Sequence, residues 1–314
     1  MDSLIFSLNS TIPIFGVIIL GYILMRVGFF TEEFTRVADK YVFRIGLPVL
    51  LFKQVATADI HSEFDIRFVL FCMISTTLMF VLVWLIGRIF LKDKSMVGAF
   101  AQASARGSAA ILGIAFIENI YGSSGMGPLM IISAVPLYNI YSVIILAFND
   151  KNKGSGRNAV KNAFLGILKN PVIIGILLGL PFAIIGIKIP TIPIKAVSMV
   201  AQTATPVALL VVGAGFQGKQ AIAKIGPACG ATFIKLIGLP LIFMPIAIAM
   251  GFRNEALVAI IVMLGSPTTV TSYIMAKNMG NDEILSSSVV ILSTLLSSVT
   301  LTGWIFLMKG MEWI

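Results

Sequence analysis

Apolar residues come in long runs along this chain, and short polar stretches separate them. A helix needs about 20 mostly apolar residues to cross a bilayer. The runs supply ten candidates, at 6–25, 36–56, 66–90, 96–118, 127–148, 169–187, 193–216, 225–250, 255–276 and 284–308. The second and fourth are the least continuous, because Lys40, Arg44 and Arg106 interrupt them. The pattern predicts an all-α integral membrane protein with ten transmembrane helices.

Punctuation within the runs divides the chain in two. Pro13 and Gly21 in the first span are matched by Pro171 and Gly179 in the sixth. Pro48 is matched by Pro206, Gly107-Ser108 by Gly265-Ser266, and Gly122 by Gly280. Every pair lies 158 positions apart. The most polar stretch, DKNKGSGRNAVKN at 150–162, falls between the two sets. The expected organisation is a first five-helix repeat over 1–150, a linker over 151–168 and a second repeat over 169–314. An odd number of spans per repeat makes the second enter the membrane in the opposite sense, the inverted-repeat plan of many secondary transporters.

Composition narrows the class. Only 12% of the 314 residues are charged and the mean hydropathy is +0.99, against roughly 25% charged in a soluble domain. The net charge of +9 would suggest nucleic acid in a soluble protein. Here the basic residues gather between apolar runs, and no basic cluster is interleaved with stacking aromatics, so nucleic-acid binding is not expected. Counted with the adjoining ends of the spans, fifteen of the 23 Lys and Arg fall to the odd-numbered connections, and six to the even-numbered connections and termini. The excess places the odd connections in the cytoplasm and both termini outside, in a multi-pass inner-membrane protein. The N-terminal run has no Lys or Arg before it and reads as a retained first membrane helix rather than a secretory signal. Cys72 and Cys229 lie within apolar runs and His61 lies alone in a polar loop, which makes no zinc site, and no cofactor is expected. The fifteen methionines read as packing or lipid-facing residues.

Candidate chemistry lies where the helices are easiest to break. The ninth span carries MLGSPTTVTSY, in which Gly265 loosens the helix and Pro267 removes a backbone donor. Ser266, Thr268, Thr269, Thr271 and Ser272 supply hydroxyls, either to patch a proline kink or to hold a ligand. The fourth span carries QASARGSAAILG, where Gly107, Ser108 and Gly113 permit a matching break around 106–113. Arg106 lies about 11 residues from the start of its span, which at about 1.5 Å per residue is near mid-membrane, and Lys235 lies at a similar depth. Ionisable residues there are costly and are usually functional. Neither has an obvious acid, since Glu118 and Asp39 sit nearer the span ends. Both cations fit an anionic substrate; snorkelling or pairing with helix-end carbonyls is the alternative. Asn139, after Pro136, either donates to a carboxylate or bridges helices, and Gln202, Thr203 and Thr205 precede Pro206 as cavity candidates from the second half.

At these residues the chain resembles the auxin efflux carrier family, which includes plant PIN proteins and bacterial permeases. The resemblance rests on GLPVLLF (46–52), VPLYNIYSV (135–143), KNPVIIGILLGL (169–180), TPVALLVVGAGF (205–216), SPTTVTSYIMAKNMG (266–280) and VVILSTLLSSVTL (289–301), in order across nearly the whole chain. It implies a scaffold of spans one, two, six and seven, and a transport domain of the rest in which helices four and nine break and cross. It also implies organic-anion substrates, an elevator-like motion and a homodimer in the lipid membrane. The family's Asn and Gly-x-Pro pattern in the fourth helix is replaced here by Ser108 and Gly113-Ile114-Ala115, so the carboxylate contact of that Asn does not carry over directly. The long cytoplasmic loop of plant members is also absent.

The expected function is secondary transport of small mono- or dicarboxylates by alternating access. A sodium-coupled symporter of a related inverted-repeat fold is the alternative, since carbonyls and hydroxyls can hold sodium. A proton or cation antiporter requires membrane carboxylates, and none lies near the midplane. A passive channel is a further alternative. An intramembrane enzyme needs paired Asp, Ser–His or HExxH chemistry that one loop histidine does not provide.

Overall fold

The computed structural model describes residues 13, 16–57, 65–109, 117, 120–121, 126–149, 169–187, 189–216 and 222–314. Every regular element among them is helical. The first half contains α1 (Gly16–Arg26), α2 (Glu32–Tyr41), α3 (Leu47–Ala56), α4 (Ile66–Phe90), α5 (Val97–Ala105) and α6 (Gly127–Phe148). The second contains α7 (Pro171–Ile185), α8 (Thr191–Ala214), α9 (Ile225–Phe233), α10 (Leu239–Ala249), α11 (Asn254–Gly265), α12 (Val270–Asn278) and α13 (Glu283–Gly310). Six described stretches are long and apolar enough to span a bilayer, and α1 and Pro171–Ala183 are shorter apolar helices.

Helix α4 shows how composition becomes placement. Asp65 caps its first turn by accepting from the Arg67 and Phe68 N–H groups at 2.9 and 3.3 Å, which satisfies donors that a helix start leaves free. One stripe, including Phe68, Cys72, Met79 and Val83, is buried. The opposite stripe is Leu70, Ile74, Leu78, Val81, Leu85 and Ile89, and it is exposed although wholly apolar. A helix apolar on all sides requires an apolar surrounding on its outer face. The second predicted span begins earlier than expected, at Glu32, and is carried by α2, a π-helical turn over Val42–Gly46 and α3. It tolerates Lys40 and Arg44 because both project outward while Ala38, Val42 and Phe43 face inward.

Two apolar clusters organise the packing. One joins α4, α5, α6, α10, α11 and α13, and the other joins α2, α3, α7 and α8 with parts of α5, α6, α9, α12 and α13. Within the second, glycines bring backbones into contact. A Cβ on Gly21 would strike the carbonyl of Leu210, and one on Gly179 would lie 2.9 Å from that of Phe52. Gly21 and Gly179 lie 158 positions apart, and so do Phe52 and Leu210. The same contact is therefore made twice with the halves exchanged.

The linker over 151–168 and the 119–126 connection lie wholly or largely outside the described residues, so their sidedness calls for a direct measurement. In a Cys229→Ala background, Ser155→Cys should react with a membrane-impermeant maleimide only after the cytoplasmic face is exposed. Labelling in sealed right-side-out cells would reverse the orientation drawn from loop charge.

Candidate functional site

Two helices stop in the protein interior. Helix α5 ends at Ala105, and Arg106 turns to extended backbone (φ −70°, ψ 132°). Helix α11 ends at Gly265, Ser266 is extended (φ −68°, ψ 154°), and helical geometry resumes only at Val270. The intervening segment contains Pro267, which has no N–H to continue a helix. The two interruptions adjoin directly, with the Ser108 N–H donating to the Pro267 carbonyl at 2.9 Å. Thr268 secures the segment twice: its hydroxyl donates to the Ala103 carbonyl at 2.5 Å, and its N–H donates to Ser293 Oγ at 3.0 Å.

Chain interruptions leave helix ends without partners. The α12 N-terminus opens at Thr269, which makes no side-chain cap, so the positive end of that helix is available to an anion. Arg106 lies beside it. Arg106 is 5% exposed, and its guanidinium donates through Nε to Thr269 Oγ1 at 2.8 Å, through one terminal nitrogen to Asn139 Oδ1 at 2.7 Å, and through the other to Met275 Sδ at 3.1 Å. These bonds engage three of its five N–H donors, and no described acceptor is a carboxylate. Asn139 holds its orientation by donating to the Val135 carbonyl at 2.8 Å, within the helix that continues through Pro136. Tyr138, next to Asn139 on α6, donates to the Met263 carbonyl at 2.8 Å and ties α6 to the end of α11.

A cavity of about 90 Å³ lies against this arrangement. Of the residues singled out from the sequence, Arg106, Gly107, Ser108, Asn139, Pro267, Thr268 and Thr269 line it, with Thr271 and Thr205. Leu47, Leu50 and Leu51 of α3 and Ala208 and Leu209 of α8 form its apolar side. Ser266, Ser272 and Lys235 are buried but do not line it. Gln202 and Thr203 are not in the lining either, and Thr203 pairs with Tyr41 across a 2.6 Å hydrogen bond. Gly265 packs on Pro240, while Gly113 and His61 lie outside the described residues. Sequence reasoning missed Gln54 and Thr294, which also line the cavity; Gln54 adjoins Lys53, and Thr294 is one of many hydroxyl residues along α13, so neither stands out in the sequence.

Lys235 is fully buried and donates to the carbonyls of Leu264, Ala105 and Met263 at 2.6, 3.2 and 3.3 Å. A further polar cluster links α2 to α12 and α13. There Asp39 accepts from Lys277 at 3.0 Å and from Asn278 at 3.1 Å, and Lys277 lies 3.8 Å from Glu283. No group of three or more metal-ligating side chains occurs among the described residues.

This geometry is that of a polytopic membrane protein with a small polar site between interrupted helices. The family profile described as membrane transport protein matches residues 6–305, and the chain belongs to that family, the PIN-like group that its motifs resemble. Among curated proteins it is 24% identical over 312 residues to the uncharacterized transporter YfdV of Escherichia coli K12, covering 98% of this chain and 99% of that one. It is 25% identical over 311 residues, with 95% of each chain covered, to a Rhizobium meliloti protein named "Putative malonate transporter". An uncharacterized transporter of Methanothermobacter thermautotrophicus is 23% identical over 308 residues, covering 95% of this chain and 97% of its own. The chain is thus a multi-pass membrane transporter.

Proposed function

We propose that this protein is a secondary transporter that carries small mono- or dicarboxylates across the cytoplasmic membrane by alternating access. The observation that carries the reading is Arg106: a buried guanidinium beside a cavity and a helix N-terminus, held by neutral acceptors only. An unneutralised charge at that depth is costly, and an arriving carboxylate would offset the cost with paired, charge-assisted hydrogen bonds. Ser108, Thr268, Thr269 and Asn139 complete the proposed site around it, with Gly107 and Pro267 keeping the chain interrupted. The malonate in the name of the Rhizobium meliloti relative is of the same chemical class.

The proposed architecture is two inverted five-helix repeats, 1–150 and 169–314, joined by the 151–168 linker. The exchanged Gly21–Leu210 and Gly179–Phe52 contacts support it, as does the meeting of the two interruptions at Ser108 and Pro267. In this reading α1 to α3, α7 and α8 are a fixed scaffold. The remaining helices move against it like an elevator, and the scaffold forms a homodimer within the membrane.

The test is a thermal-unfolding series of the purified protein against malonate, malate and acetate, with malonamide as the uncharged analogue. A bound anion at 100 times its Kd should stabilise the fold by about 2.7 kcal/mol, visible as a raised midpoint for at least one carboxylate and none for the amide. A series in which no carboxylate raises the midpoint, or the amide does so equally, would reject an anion site.

A further inference from the structure

Lys235 is the second buried cation, and the transport reading does not use it. Its surroundings are of one kind. The ammonium meets three carbonyl oxygens, of Leu264, Ala105 and Met263, and an ammonium has three N–H donors and no acceptor. A neutral amine would bring only two donors and a lone pair into this set. The three carbonyls also share an origin. Ala105 is the last residue of α5, and Met263 and Leu264 lie in the last turn of α11. Both helices therefore point their negative ends at one atom. Backbone carbonyls freed by an interrupted helix are the donor set with which a membrane protein holds a small monovalent cation.

The fold makes room for this nitrogen deliberately. Lys235 sits within the π-helical turn Ile234–Gly238, and Trp304 Nε1 donates to the Leu236 carbonyl at 3.0 Å within that turn. Opposite, a Cβ on Gly107 would come within 2.9 Å of the Lys235 nitrogen and 2.6 Å of Ser266 Oγ. Gly107 thus clears the space in which the ammonium lies.

We propose that the Lys235 ammonium is a built-in monovalent cation, permanently seated between the carbonyl ends of α5 and α11, so that this position neither needs nor admits sodium. The two interrupted helices then have complementary ends: a tethered cation at the carbonyl ends, and Arg106 with the α12 N-terminus facing the cavity. Lys235 is a positioning residue, acting on the helix ends rather than on the anion.

The experiment requires no substrate, so its failure is separate from any failure of the anion-site reading. Unfolding midpoints are measured for wild type, Lys235→Met and Lys235→Ala in N-methylglucamine chloride, sodium chloride and propylammonium chloride. Methionine keeps most of the length without the charge, and propylammonium replaces the atoms that alanine lacks. Wild type should unfold at one temperature in all three salts. Both variants should lose at least about 5 °C, and propylammonium or sodium should return at least half of the loss to the alanine variant only. Lys235→Met unfolding with wild type would overturn the proposal, and so would an alanine variant that is destabilised but restored by neither cation. If neither variant can be purified, wild type decides alone: a midpoint raised by sodium over N-methylglucamine overturns the proposal, and equal midpoints support it.

Discussion

Arg106→Gln should reduce affinity for carboxylates by about tenfold to a hundredfold, while the ligand-free protein unfolds close to the wild-type temperature. The magnitude follows from the roughly 1.5–3 kcal/mol that a hydrogen bond to a charged group contributes. Glutamine is two atoms shorter, retains an amide donor and loses the charge and the planar fork. Arg106→Lys is the necessary companion, because it keeps the charge without the paired geometry, and it should fall between wild type and Gln. The rival account gives Arg106 a purely structural part, tying Asn139 of α6 to Thr269 and Met275 at the second interruption. The two accounts separate in one titration: a Gln variant that unfolds early but binds carboxylate with unchanged affinity would make Arg106 a scaffold residue.

How far the sequence could carry this site depends on the range of the interactions involved. Local chemistry was legible. Gly265 with Pro267 marks where α11 must stop. The depth of Arg106 in its run was enough to single it out. What could not be read was the partner of each buried charge. Lys235 and Arg106 look alike in sequence, each a lone cation in an apolar span, yet one engages carbonyls from residues 105, 263 and 264 and the other engages side chains of α6 and of α12 with its cap, beside a cavity. The π-helical turns at Val42–Gly46 and Ile234–Gly238 left no mark in the pattern, because one inserted residue in a helix is decided by what packs against it. Asp39 lies near the end of its span, and the sequence does not show that it is buried against Lys277 and Asn278 from the other half of the chain.

Gly213→Ala should destabilise the protein, whereas the same substitution at Gly303 should leave it unchanged or slightly more stable. Both glycines lie within long helices, α8 and α13, so alanine has the better intrinsic helix propensity at each. Tertiary contact decides the sign. A Cβ at Gly213 would collide with the carbonyl oxygen of Ile18 and lie 2.9 Å from the Tyr22 nitrogen, both backbone atoms of α1, while a Cβ at Gly303 meets nothing within 4 Å. Backbone cannot swing aside as a side chain can, so α1 and α8 must separate. Overpacking of this kind costs about 1–3 kcal/mol, which for a chain of this size lowers the unfolding midpoint by roughly 2–4 °C per kcal/mol. Small residues that let membrane helices approach are the main source of their association, since lipid supplies no hydrophobic drive between them. If α1 and α8 are static scaffold, the surviving Gly213→Ala protein should bind carboxylate with wild-type affinity. An unfolding midpoint equal to wild type would mean that α1 and α8 do not rely on this close approach, and a loss of affinity without a loss of stability would place the pair in the moving part of the carrier.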